Sequence, residues 1–249
     1  MHSQGGQPHK MKMTTGIILA LLAAIVALWS RSTKGRHTSH QKAAYNKEEA
    51  ESFIRQLDEL GYFKYADASD LDSLKSNMLN SYNPYSELTS MWDEHTGTPK
   101  DYRYYFCDGE TVYEQGGITD LLQDLQPTFD KLNFQCNVTG HFEVWDDKNQ
   151  WLNHRITING TEYVIFKNFT EMGWGEAPKR IAEILNAELT KQGKDEQIYL
   201  ASGGNDGMLI FLTNELYQYI YSVLKDPYRK PLKLNEWATV MEVEPMRPD

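Results

Sequence analysis

Residues 153–166 read NHRITINGTEYVIF, and this stretch decides the fold class. Two runs rich in β-branched and aromatic residues, Asn153–Ile158 and Thr161–Phe166, flank Asn159-Gly160. That dipeptide accepts positive φ at both central positions of a type I′ turn, whose twist matches the strands on either side. The stretch is therefore a β-hairpin. A Gly-Trp-Gly loop at Gly173–Gly175 then leads into an apolar-periodic run from Ala177 to Gln192, a helix that Gly193 ends in the left-handed region. Two strands followed by a helix form the local unit.

Working outward, the same layout is expected twice more. On the N-terminal side, Tyr102–Cys107 and Glu110–Glu114 are β-rich runs joined by Asp108-Gly109, a dipeptide suited to a hairpin, and a helix follows near Thr119–Leu132. Pro127 predicts a kink there or a break into two short helices. On the C-terminal side, Ile198–Ala201 and Met208–Leu212 flank Ser202–Gly207, and Thr213 or Asn214 caps a helix that ends before Pro227. Phe134–Trp145 adds one or two strands, with Gly140 as an interruption, and the tail adds a strand near Trp237–Val243. No residue-level repeat underlies this recurrence.

The segment before residue 101 is helical in pattern. Asn46 caps a helix whose stripe is Ala50, Phe53, Ile54, Leu57 and Leu60; Glu49 completes a capping box and Gly61 ends it. A second helix covers Asp70–Leu79. A third starts at Asn83-Pro84, presents Leu88, Met91 and Trp92, and stops at Gly97 and Pro99. The expected architecture is α+β: a largely antiparallel sheet built from hairpins, helices packed on one face, and an N-terminal transmembrane helix ahead of it. The domain spans 46–249, with a helical part at 46–97 and a ββα-rich part at 101–249.

Residues 1–13 form a short tail. Thr14 to Ser30 contains 17 residues without a charge, about 25 Å as a helix against a hydrocarbon core of about 30 Å. Trp29 and Arg31 suit the headgroup boundary. The competing reading is a cleaved signal peptide, but the small-x-small cleavage site is missing from Ala27-Leu28-Trp29-Ser30-Arg31. A single-pass anchor at 14–30 is therefore expected, followed by a basic tether at 31–45. Basic residues after the span place the domain on the cytoplasmic side, with a periplasmic or extracellular placement as the alternative.

The 249-residue chain has a formal charge of −10, which hides a split. Residues 1–45 hold six Lys/Arg and no Asp or Glu, so the remainder carries 25 − 6 = 19 basic against 35 acidic residues, a net of −16. Such a domain repels phosphate backbones, and nucleic acid is excluded as its main partner. The two cysteines, Cys107 and Cys136, do not make a disulfide framework.

No catalytic motif stands out. The Ser202–Gly207 run (SGGNDG) is either an anion-binding nest around Gly203, Gly204, Asn205 and Asp206 or, more simply, a hairpin loop needing positive φ. Over about seventeen residues this passage resembles the strand, glycine-rich turn and strand of bacterial immunity proteins of the SUKH group, which implies an inhibitor or immunity-type role. His141-Phe142-Glu143 has the H-x-E spacing of zinc deaminases without their P-C-x-x-C partner. Asp146 and Asp147 lie nearby, but a hairpin rim with solvated charges is the simpler account, so neither metal nor cofactor is expected. Trp174, between two glycines, is either a partner-binding anchor or a staple folded onto the following helix. Tyr102 and Tyr104, among 15 tyrosines, suggest a recognition surface.

Three functions remain. The first is a membrane-tethered protein-interaction module with an acidic, Tyr-rich face. A membrane-tethered hydrolase without a legible motif is the second, and a structural subunit of an envelope assembly the third.

Overall fold

The computed structural model describes residues 47–243. The anchor at 14–30, the tether at 31–45 and the Asn46 cap lie outside the described residues. Among the described residues no helix is long and apolar enough to cross a membrane.

The fold is α+β, with two small antiparallel sheets where one was expected. Helix α1 (Lys47–Glu59) ends at Gly61, whose φ of 77° and hydrogen bond to the Asp58 carbonyl make the left-handed stop. A 3-10 turn at Tyr62–Tyr65 and helix α2 (Leu71–Ser81) follow. The expected third helix is absent. The Pro84 carbonyl accepts the Lys225 N–H at 2.6 Å instead of starting a helical ladder, and Asn83 closes a tight turn on the Tyr85 N–H. Trp92 then bridges Pro99 in an extended loop.

The first sheet has the order β1 (Tyr104–Phe106), β6 (Met208–Thr213), β5 (Glu196–Ala201). The expected hairpin at Asp108-Gly109 is corrected here. The Asp108 carboxylate accepts the Glu110 and Thr111 N–H groups and caps helix α3 (Gly109–Tyr113), so β1 finds its partner about a hundred residues away, with Tyr104 opposite Ile210. Helices α4 (Gly117–Asp124) and α5 (Gln126–Leu132) are the two pieces into which Pro127 breaks the next run.

The second sheet is β2 (Val138–Asp146), β3 (Trp151–Ile158) and β4 (Thr161–Phe169), in that order. Asn159 and Gly160 take φ of 51° and 80° at the β3–β4 turn, as the dipeptide requires. Helix α6 (Glu176–Lys191) closes on Gly193 at φ 65°. Helix α7 (Asn214–Val223) is capped by the Thr213 hydroxyl, which accepts the Leu216 N–H. The tail holds helix α8 (Leu234–Val240) in place of the expected strand. Trp237 and Met241 are one helical turn apart, and their N–H groups go to Lys233 and Trp237 carbonyls.

Helices cover both faces of the first sheet, not one. Leu209, Phe211, Ile198 and Leu200 face a core shared with α6 and the second sheet; Ile210, Leu212, Tyr199 and Ala201 face a core shared with α1, α2 and α7. Both faces being dry explains the unbroken apolar run of β6. Arg103, fully buried, fastens the N-terminal helices to this sheet. Its guanidinium donates to the carbonyls of Tyr62 (2.6 Å), Gly61 (3.2 Å) and Phe211 (2.9 Å). Glu196 lies 3.9 Å away and is held by Lys64 at 2.6 Å and by the Tyr65 hydroxyl.

Candidate functional site

β2 is the outer strand of its sheet, and its two faces carry different chemistry. Pairing with β3 sets Phe142 opposite Arg155 and Val144 opposite Asn153 on one face, and Glu143 opposite His154 on the other. Phe142 and Val144 are 43% and 47% exposed, and the Arg155 guanidinium lies 4.6 Å from the Phe142 ring centre. Trp145 is exposed as well.

The edges of the two sheets are treated unequally. On β4, Arg180 donates twice to the Val164 carbonyl, at 2.9 and 2.8 Å. On β5, the Asn186 amide bonds both N–H and C=O of Ile198, and Leu200 exchanges two backbone bonds with Leu232. Along β2, among the described residues, every backbone hydrogen bond between strands goes to β3 or its hairpin, and the far edge is bare. The strand contains no Lys, Arg or Pro to blunt that edge.

On the inner face of β2, His141 and Glu143 stand two residues apart and His154 lies across from them on β3. The two Nε2 atoms of His141 and His154 are 2.9 Å apart. Glu143 Oε2 is 3.6 Å from His141 Nε2, and Glu143 Oε1 is 3.8 Å from His154 Nδ1. The Gly116 N–H donates to Glu143 Oε2 at 2.9 Å and fixes that carboxylate. Burial, and then the adjacent His141, push the His154 imidazole down to about 4, so it is neutral at physiological pH. Asp146 and Asp147 do not join this group; the Asp146 carboxylate closes the β2–β3 turn on the N–H groups of Lys148 and Asn149. The H-x-E pair is legible in the sequence, but His154 is not. Finding it requires the β2–β3 register, which the turn at 147–150 sets.

The residues singled out from the sequence fall in three places. Gly203, Gly204 and Trp174 border one narrow cleft, with Cys107, Trp237 and Leu200 beside them, and the cleft is too tight for a water molecule. The glycine-rich loop itself is a hairpin connection. A 3-10 turn at Gly204–Asp206 joins β5 to β6, Asn205 and Asp206 face solvent, and the Ser202 carbonyl accepts the Trp237 indole N–H at 2.6 Å. Gly207 is required by packing, since a Cβ there would stand 2.3 Å from the Cys107 carbonyl. Trp174 is half-buried at the cleft wall. Tyr102 lies elsewhere, its hydroxyl donating to Asp67 at 2.8 Å with Lys131 over its ring.

Tyr104 does not belong to a recognition surface. It is 1% exposed, and its hydroxyl is buried without a hydrogen-bond partner. Tyr105, Tyr199 and Tyr217 are also buried. A strand covered on both faces turns its tyrosines into core. Cys107 is likewise structural, its thiol pushed up to about 12 by burial and then by Asp108.

Comparison with protein-family models, with curated proteins and with solved structures finds no match to this chain.

Proposed function

We propose that the protein is a membrane-tethered interaction module that takes up an extended, basic segment of a partner protein by strand addition along β2. The observation that carries this reading is the unequal edges. β5 is bonded along its outer edge by Asn186 and Leu232 and β4 at its Val164 carbonyl by Arg180, while among the described residues no such bond reaches the outer edge of the nine-residue β2, with exposed Phe142 and Val144 beside it. An uncovered edge supplies backbone donors and acceptors at the spacing of one more strand, and alternate side chains supply selectivity. Charge argues for a basic occupant. The domain carries −16, so a second copy would meet like charge across the seam, whereas Lys/Arg-rich segments would be drawn to it.

The test is a peptide array presenting extended sequences with alternating apolar positions, in Lys/Arg-rich and Asp/Glu-rich versions, probed with the full chain. Binding is expected to a subset of the basic set only. It should fall as salt rises and disappear with Val144→Lys. Binding that ignores that substitution, a preference for acidic peptides, or β2-mediated self-association in place of peptide uptake would overturn the reading.

A further inference from the structure

We propose that His141, Glu143 and His154 form a binding site for a divalent transition-metal ion, with two imidazoles and one carboxylate as protein ligands. The inference is independent of peptide uptake, because the three side chains point to the face of the sheet opposite Phe142 and Val144.

Geometry carries it. All three ligand atoms lie within 4.8 Å of one another. Two nitrogens bound about 2.0–2.1 Å from one ion stand about 2.9 Å apart when the angle between them is a right angle, and about 3.3 Å apart at the tetrahedral angle. The His141 and His154 Nε2 atoms are 2.9 Å apart, and Glu143 Oε2 is 3.6 Å from His141 Nε2. Two strands in register hold them: the positions i and i+2 on β2 share a face, and Glu143 is the direct cross-strand partner of His154. The Gly116 N–H fixes the carboxylate from the side, as hydrogen bonds around metal ligands do.

The alternative use of this cluster is weaker chemistry. The two facing imidazoles share a single Nε2–Nε2 hydrogen bond. The separation of 3.8 Å between His154 Nδ1 and Glu143 Oε1 is too long for another. His154 is 2% exposed, so the surrounding core holds its ring in place against the pair on β2.

The donor set selects the class of ion. Mixed nitrogen and oxygen donors suit Zn²⁺, Co²⁺, Ni²⁺ or Fe²⁺, whereas Mg²⁺ and Ca²⁺ are bound by oxygen. Three protein ligands leave coordination positions open, and the His141 side chain, 31% exposed, marks the side from which water or an outside ligand reaches the ion.

The test uses the full chain, stripped with a chelator and titrated with Co²⁺ and Zn²⁺ against a chromophoric competitor. One Co²⁺ per chain is expected, with a visible d–d spectrum of nitrogen and oxygen ligation that Zn²⁺ abolishes and excess Mg²⁺ does not. His141→Ala should weaken binding by at least about tenfold, and Glu143→Gln, which keeps an acceptor for the Gly116 N–H, should do the same. His141 is exposed enough for its removal to leave the fold intact, which far-ultraviolet dichroism verifies. Absence of stoichiometric Co²⁺ uptake, or uptake that neither substitution weakens, would overturn the proposal.

Discussion

The two sheets have the same number of strands and the same antiparallel pairing, yet they are built for different ends. In the first, β6 runs between two partners with a core on each side, and a buried arginine ties the surrounding helices to it. In the second, only the inner face of β3 and β4 is dry, while β2 exposes most of its residues. Edge treatment follows the same division. The outer edge of β5 is bonded by Asn186 and Leu232, and among the described residues no such bond reaches the outer edge of β2. The difference teaches that the first sheet holds the domain together, and that the second keeps its outer strand outside the core, where the proposed strand addition would take place.

Substitutions can break this comparison or sharpen it. The largest effect is expected from Arg103→Ala. Losing three carbonyl contacts and the charge facing Glu196 should cost about 3–5 kcal/mol in denaturant unfolding, since a buried ion loses its partner. Next is the acid limb of stability. Burial alone would raise the Glu196 carboxyl, but the hydrogen bonds from Lys64 and Tyr65, then the charges of Lys64 and Arg103, hold it below its ordinary 4.5. A depressed folded-state value means that its stabilisation is present in full above 4.5 and is lost as pH falls through the folded value. In melts taken across that acid range, Glu196→Gln should therefore flatten the decline in Tm.

A smaller effect of opposite sign is expected at Tyr104. Its buried hydroxyl has no partner, so Tyr104→Phe should stabilise the protein by about 1 kcal/mol in the same unfolding assay. If the substitution destabilises instead, that hydroxyl has a bonded water and the first sheet is wetter than described. The smallest effect belongs to the second sheet. Phe142→Ser and Val144→Lys should each change stability by no more than about 0.5 kcal/mol, because both side chains are largely exposed. A cost comparable to that of Arg103→Ala would dissolve the division between the sheets.

Where local chemistry decides structure, the sequence is a good guide. Asn159-Gly160, Pro127, Gly61 and Gly193 each act through backbone preferences of one or two residues, and the structure places a turn, a helix break and two helix stops at these points. Legibility fails where a distant partner decides. Asp108-Gly109 reads as a hairpin until β1 is seen to pair with β6, and Asn83-Pro84 reads as a helix start until Lys225 takes the Pro84 carbonyl. Tyr104 reads as surface until both faces of its sheet are covered. The candidate metal ligands divide in the same way: His141 and Glu143 are adjacent in pattern, and His154 joins them only through strand register.

The central claim is that the outer edge of β2 is open, and amide hydrogen exchange on the full chain tests it most directly. Amides of β6 should exchange only through global unfolding, while β2 amides directed away from β3 should exchange faster by several orders of magnitude, as exposed backbone does. Protection along the whole of β2 equal to that of β6 would contradict the account.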